Sequence, residues 1–408
     1  DVYKRQVQDI PINITALGGD LIERERLSNF ADLARRVPGM TVVDQGPRSS
    51  NTLTIRGLTL DSVSSTDQTN STGGTVATYI GEIPFYVDLR LNDMERIEVL
   101  RGPQGTLYGA GTLGGAVRYL PNKPQANEAT LELRGDIYDL NESDDLGTDY
   151  GATVNLPIIE DRLAVRASLD YLDDPGFIDY NFLVREAGIS NPQPDFSNPQ
   201  DVRNNLTQKN DANDNETLSG RLAVRYTGER IDSTLTYYYQ ESDIGGRQQN
   251  HSDAFGTDDY VSAMRFEEPN DRENELYSLE LVADLGFAEL TSATGYGEYT
   301  EQGQRDQTDL LFSLDYGYEF FPSFAGFTRE DSDEETFTQE IRLVSTSDGP
   351  LNWIVGAFYS DFEQDSQSLE FTPFYDEFLT GFDARPDNLE YVEILKDEFE
   401  ETAAFGEL

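Results

Sequence analysis

From about residue 130 onward the chain repeats one pattern: segments of about ten residues in which apolar and polar side chains alternate, separated by acidic, Asn-rich loops. Successive side chains of a strand point to opposite faces, so this period belongs to β-structure and not to helix. In TLELRGDIYDL (130–140), Leu131, Leu133 and Ile137 share one face, and Glu132, Arg134, Asp136 and Tyr138 share the other. In RLAVRASLDYL (162–172) the apolar set is Leu163, Val165, Ala167, Leu169 and Tyr171, opposite Arg166, Ser168 and Asp170. The pattern returns at 151–158, 218–228, 231–240, 276–286, 288–299, 336–346 and 351–362, giving about nine strands. Short turns (227–230, 347–350) alternate with long loops (242–275, 302–335). That alternation describes an antiparallel transmembrane β-barrel. A soluble sandwich or solenoid shows the same period, so the pattern alone leaves both open. Tyr171, Tyr226, Tyr237, Tyr239 and Tyr359 lie toward strand ends, where an aromatic girdle would sit, and favour the barrel.

Composition narrows the partners. Thirty Lys+Arg stand against 77 Asp+Glu, a net charge of -47 that repels a phosphate backbone, so nucleic acid is excluded as a partner. No window holds the roughly 18 to 20 apolar residues of a spanning helix, so a membrane would have to be crossed by strands. With no cysteine there is no disulfide framework and no thiolate metal site.

Before residue 125 the grammar differs. Residues 7–124 mix short apolar strands, a helix and Gly-Pro punctuation, as a small α+β domain does. The helix is expected in LSNFADLARRVPGM (27–40), capped by Ser28, with Phe30, Leu33 and Ala34 on one face and Pro38 as its stop. Strands are expected at 10–16, 40–43, 53–56, 78–83 and 96–100. Residues 1–6 fit no element and read as a leader foreign to the domain.

The most specific stretch is ERIEVLRGPQGTLYG (95–109) running into AGTLGGAVRYLPNKP (110–124). An apolar strand enters a Gly-Pro turn and returns through glycines that permit close backbone packing. This stretch resembles the end of the plug domain of TonB-dependent outer-membrane receptors. LARRVPGMTV (33–42), TLTIRG (52–57) and ATYIGEIPF (77–85) resemble plug signatures and stand in the same order upstream.

The resemblance implies an α+β plug domain at 7–124 followed, at 125–408, by the N-terminal part of a barrel whose family form has 22 strands. It implies TonB-dependent active import across the bacterial outer membrane, most readily of a ferric siderophore or similar iron chelate, driven by TonB with its ExbB/ExbD complex. Vitamin B12, oligosaccharides and other metal chelates use the same parts. From a different class, a passive porin would need an open lumen. No cofactor and no catalytic group is implied. The family's TonB-contacting box precedes the plug, whereas here the linker-like KRQVQDIPINI (4–14) opens the chain. EETAAFGEL (400–408) reads as the start of another strand, and a half-barrel would leave unpaired backbone at its edge.

By the same resemblance Arg56 (IRG) and Arg101 (RGP) form a charged lock against barrel glutamates. The polar apical stretches DQGPRSSN (44–51) and DSVSSTDQTNSTGG (61–74) face the ligand, with Arg48, Ser49, Ser64, Asp67, Gln68 and Asn70 as contact residues.

Other candidates reduce to ordinary structure. GTLYGAGTLGG (105–115) lacks the Gly-Lys-Ser/Thr ending of a phosphate loop. Acids are too numerous for nearness in sequence to identify a catalytic pair. The single histidine, His251, reads as a solvated loop residue, which disfavours a haem ligand role. Asp253, Asp258, Asp259 and DSDEE (331–335) could offer oxygen ligands to calcium, but read as solvated charge.

Overall fold

The computed structural model describes residues 13–49, 52–59, 76–85, 90, 92–102, 113–251, 259–314, 316–346 and 351–408. The N-terminal unit contains β1 (Asn13–Gly18), α1 (Gly19–Glu25), α2 (Phe30–Ala34), β2 (Met40–Val43), β3 (Thr52–Ile55), β4 (Leu58–Thr59), β5 (Val76–Ile80), β6 (Ile83–Pro84), β7 (Met94–Arg101) and β8 (Gly115–Pro121). A mixed sheet runs β1-β7-β8-β5-β6, with β5 parallel to β8, and a small antiparallel sheet runs β2-β3-β4.

The helix expected from residue 27 starts later, and its cap is Asn29 rather than Ser28. The Asn29 side chain accepts from the Asp32 amide at 3.0 Å, while the Ser28 amide donates back to the Asp32 carboxylate at 3.0 Å. This reciprocal pairing is a capping box shifted by one residue. Helix α1, whose short GDLIERE stretch carries little periodic signal, has no counterpart in the sequence reading.

The second unit is a ten-stranded antiparallel sheet. It comprises β9 (Thr130–Asp139), β10 (Leu146–Ile159), β11 (Leu163–Asp174), β14 (Asn215–Thr227), β15 (Ile231–Ile244), β17 (Asn270–Asp284), β18 (Ala288–Asp306), β19 (Phe327–Ser345), β20 (Ile354–Phe371) and β21 (Leu389–Glu407). Strands β12 (Asp179–Val184), β13 (Leu206–Lys209) and β16 (Val261–Ser262) form a separate sheet within the long loops, where the short helix α3 (Pro199–Asn205) leads into β13. Ten strands thus replace the expected nine: 400–408 is the end of the 19-residue β21, whose first half, with Tyr391 and Leu395 on one face and Val392 and Ile394 on the other, has no clean alternation. DSDEE (331–335) lies inside β19 and not in a loop.

Burial decides between barrel and sandwich. Leu133 is 75% exposed and Leu169 58% exposed, whereas Asp170, on the opposite face, is 3% exposed. Arg166, Ser168, Arg221, Thr234, Asn274 and Ser278 are buried with it. A soluble sandwich hides its apolar face; this sheet hides the polar one and presents Leu and Ile outward, as a wall facing hydrocarbon does. No helix among the described residues is long and apolar enough to cross a membrane, which has no bearing on strands.

An aromatic belt crosses the outward face in register. Tyr150 pairs with Tyr171, and Tyr237, Tyr277, Tyr296 and Phe337 are opposite one another on successive strands. Ring centroids are 5.3 Å apart for Tyr150–Tyr171 and 4.8 Å for Tyr237–Tyr277. Two residues further along, Glu275, Glu298, Glu335, Glu363 and Glu398 form an unbroken row across five strands. On β15 the outward apolar run from Ile231 to Tyr239 spans roughly 20 Å across a bilayer at ordinary strand rise and tilt. The belt is in mid-strand rather than at strand ends, because the strands continue well beyond the apolar band.

Candidate functional site

The polar face of the sheet receives the N-terminal unit. Leu33, Val37, Ile55, Val76, Ile97, Val99 and Val117 form one buried apolar cluster that also contains Leu276 of β17 and Ala293 of β18. Contact is close at β6: a Cβ on Gly295 of β18 would stand 2.4 Å from Ile83 Cγ2. Among the described residues several ionic contacts fasten the two units, and three sets of them are centred on buried side chains.

The first is centred on Asp93, just before β7, which is almost fully buried. Its carboxylate accepts from Arg166 of β11 at 2.8 Å, Arg221 of β14 at 2.6 Å and the Asn122 amide at 2.9 Å. Arg221 also donates to the Asn122 carbonyl at 2.6 Å. One acid of the N-terminal unit therefore neutralises two arginines of the wall, at a residue held at φ 53. The desolvated arginines are tolerable only while that acid is in place.

At the β5–β6 turn, Glu82 bridges Arg118 of β8 (2.7 Å) and Arg342 of β19 (2.8 Å). The Glu82 amide donates to Glu280 of β17 at 3.0 Å, and Lys123 lies 3.3 Å from the same carboxylate.

The third set lies at the apex and involves two of the predicted ligand residues. Arg48, expected to face a ligand, is 0% exposed. It donates to the carbonyls of Glu268 and Gln304, each at 3.2 Å, and lies 3.8 Å from both Glu301 and Glu330. Arg272 of β17 reaches back to the carbonyls of Pro47 (2.9 Å) and Arg48 (3.2 Å). Burial, reinforced by the neighbouring Arg272, pulls the Arg48 guanidinium down to about 10. Ser49 is buried beside it. Ser64, Asp67, Gln68 and Asn70 lie outside the described residues, as do the leader, the 105–112 stretch, the 347–350 turn, Asp253 and Asp258.

Arg56 and Arg101 come together, but within the N-terminal unit. Arg101 donates to the Pro38 carbonyl at 2.8 Å. Arg56, at φ 53, bonds through its amide to the Gly39 carbonyl at 2.9 Å, and its guanidinium lies beside Gly102. Both brace the turn between α2 and β2.

Above the apex, residues 245–251 pass over Gly46, where an added Cβ would strike Gln248. Here buried Glu268 accepts from Tyr180 (2.8 Å) and Arg247 (2.9 Å). His251 is half-buried rather than solvated: its Nδ1 accepts from the Ala263 amide at 3.1 Å. Burial pushes its pKa below the ordinary 6.5, aided by Arg247 and Arg265 and opposed by Asp309 and Glu268. A histidine with a depressed native pKa contributes stability that is present above about pH 6.5 and is lost as pH falls through the native value. As this is the chain's one histidine, its NMR titration is unambiguous. The folded midpoint is expected below that in urea, and equal midpoints would contradict the buried placement.

Asp93 was missed from sequence because an acid before a strand is unremarkable. The available signal was in its partners: Arg166 and Arg221 sit on the polar faces of neighbouring strands, with no acid directly opposite either one.

Comparison with known proteins agrees with this architecture. Residues 6–116 match the family model of the TonB-dependent Receptor Plug Domain. The vitamin B12 transporter BtuB of Vibrio vulnificus is 24% identical over 247 residues, 57% of this chain and 39% of that protein. A hemin receptor of Yersinia pestis is 31% identical over 120 residues, covering 28% of this chain and 16% of the receptor. The fold matches the ferric yersiniabactin uptake receptor FyuA of Yersinia pestis with a TM-score of 0.69 at 14% identity, covering 98% of this chain and 62% of that one. The ferripyoverdine receptor of Pseudomonas aeruginosa gives 0.64 at 14% identity, covering 98% and 50%. The chain thus spans well under half the length of the curated relatives it matches. Residues 6–116 are thus a TonB-dependent receptor plug domain, ion-paired to the polar face of a sheet with the fold of the receptors' barrels.

Proposed function

We propose that the protein imports a scarce solute across the bacterial outer membrane, the energy coming through TonB and the ExbB/ExbD complex. The observation that carries this reading is the plug seated on the polar wall through Asp93, Glu82 and Arg48. A passive porin needs an open lumen, and here that wall is closed by a packed core and buried ion pairs. Those contacts must be broken and remade in each cycle, which requires energy; the outer membrane holds no ATP. The family is one of receptors, and catalysis has no part in the reading.

For the solute we favour a ferric siderophore or similar metal chelate. Named solutes of the matched proteins are vitamin B12, hemin and ferric yersiniabactin, all metal complexes. Arg48 and Ser49 hold the apex in place and leave solute contact to the neighbouring loops. Arg56 and Arg101 lock the plug internally, through the α2–β2 turn.

The test is uptake of iron-55 chelates by cells carrying the full-length receptor, with and without TonB, and with residues 7–124 deleted. Accumulation against a gradient is expected only with TonB and the plug both present. Equal uptake without TonB, or unchanged uptake by the plug-deleted form, would establish a passive channel instead.

A further inference from the structure

Three loops at the far end of the strands share an aromatic core that no plug contact among the described residues uses. Residues 307–326 contain α4 (Thr308–Phe312) and residues 372–388 contain α5 (Tyr375–Thr380). Leu311, Tyr318, Phe324 and Tyr375 are buried together, and the Tyr375 hydroxyl donates to the Tyr316 carbonyl at 2.8 Å. Tyr318 stacks on Phe324 at 4.3 Å, and Phe321 stacks on Phe378 at 4.9 Å. The third loop is joined through Ser323, which donates to the Ile189 carbonyl at 2.9 Å, and through Gly188, packed against Phe374.

This core holds an apolar surface open to solvent. Phe320 is 71% exposed, Tyr316 69% and Phe382 65%, and Leu310, Phe378 and Leu379 of the same two loops are exposed as well. So many exposed rings carried by loops that share one buried core mark a binding surface. Lipid is not its cover: Phe327, where β19 leaves these loops, is ten residues beyond belt residue Phe337. That offset is roughly 25 Å along the membrane normal at ordinary rise and tilt.

Charge supplies the second half of the argument. Residues 307–326 carry three acids and no base, and residues 372–388 carry four acids against Arg385 alone. Arg385 is already paired, to Asp376 at 3.2 Å and Glu390 at 3.1 Å. Beside the patch is a cavity of about 160 Å³ whose lining includes Phe374, Asp376, Glu377, Asp383, Arg385 and Glu390. An anionic solute approaching this rim meets uncompensated carboxylates, whereas a cation is drawn in by the same field. Rings flanked by carboxylates also suit a flat cationic body through stacking.

We infer that these loops form a capture platform for a cationic solute with a flat aromatic or apolar body, its rings lying on Phe320, Tyr316 and Phe382 and its charge directed to the Glu377–Asp383 cavity. The inference deepens the import reading and rests on it for its setting: it names the charge class of the solute first captured.

The test uses the full chain in a neutral detergent and two porphyrins of matched size, tetrakis(N-methylpyridinium)porphyrin and tetrakis(sulfonatophenyl)porphyrin, titrated by fluorescence. The cationic probe is expected to bind at least about tenfold more tightly, and the difference should shrink at high salt. Phe320→Ala with Phe382→Ala is expected to weaken it by about fivefold or more, a modest loss for two ring contacts. Glu377→Gln with Asp383→Asn should weaken the cationic probe and leave the anionic one unchanged. Equal affinities would overturn the inference, and so would binding that neither pair of variants alters, since only the overall charge would then be acting. Sedimentation showing a dimer that Phe320→Ala with Phe382→Ala disperses, with no probe bound, would identify a second copy as the occupant and overturn it as well. Probe binding that responds to the variants in a receptor showing no TonB-dependent uptake would leave this inference standing and remove the import reading. TonB-dependent uptake with equal probe affinities would do the reverse.

Discussion

Asp93→Asn is expected to loosen the plug from the wall by about 3–5 kcal/mol, the cost of stranding buried charges whose partner is removed. The amide keeps the size and some hydrogen bonds of the carboxylate, but Arg166 and Arg221, both buried, lose their only close anion among the described residues. Absence of cysteine makes a clean reporter possible. Ser278 of β17 is buried on the plug-facing side, between Leu276 of the shared core and Glu280 of the Glu82 contact. With Ser278→Cys as the sole thiol, maleimide labelling reports opening of the interface, and Asp93→Asn should speed it by roughly a hundredfold to a few thousandfold if opening is in fast exchange. Replacing all three charges together, as Asp93→Leu, Arg166→Met and Arg221→Leu, should recover most of the protection, because an apolar cluster of similar volume needs no counterion. Labelling unchanged within about twofold by Asp93→Asn would show that the clamp contributes nothing to seating.

This clamp also shows where sequence reasoning stops. Local rules placed most strands, because a period of two is a property of the backbone and survives in every tertiary setting. They also placed the outward and inward faces, and the four plug motifs gave the order of the first unit. They did not show which charges meet. Asp93 and Arg221 are 128 residues apart, and only the completed sheet brings them together. Arg48 was read as ligand-facing because its stretch is polar. Its burial follows from Glu268, Glu301 and Glu330, supplied by three separate parts of the wall. Strand ends were set too short for a related reason: beyond the aromatic belt both faces of β19 are polar and both faces of β21 mix apolar with charged residues, so alternation vanishes while the hydrogen-bond ladder continues. His251 was read as solvated from its polar neighbours in sequence, whereas its environment is made by Ala263 and Arg247 folding back over it.

Gly115→Ala is expected to unfold the plug sheet with little effect on the ten-stranded wall. The residue opens β8 at the centre of the five-stranded sheet, opposite Arg101 of β7 and beside Val76 of β5. Its φ is 150°, a region that L side chains rarely enter, and an added Cβ would stand 2.1 Å from the Leu100 carbonyl oxygen. Backbone strain and overpacking each cost about 1–3 kcal/mol, and here no flexible side chain can move aside. Together they make a loss of about 2–6 kcal/mol, whose upper end reaches the stability of a small domain. Gly39→Ala separates the two causes: its φ is 81°, but nothing lies within 4 Å of the added atom. That variant should lose only about 1 kcal/mol through backbone strain. Trypsin digestion provides the readout, since Arg96 and Arg118 on β7 and β8 are cleavable only when the sheet opens. Rapid cutting at both arginines in Gly115→Ala, with slow cutting in Gly39→Ala, is the expected result. Equal rates in the two variants would mean that the glycine serves backbone conformation alone, and that the close approach of β7 and β8 at Leu100 does not control plug stability.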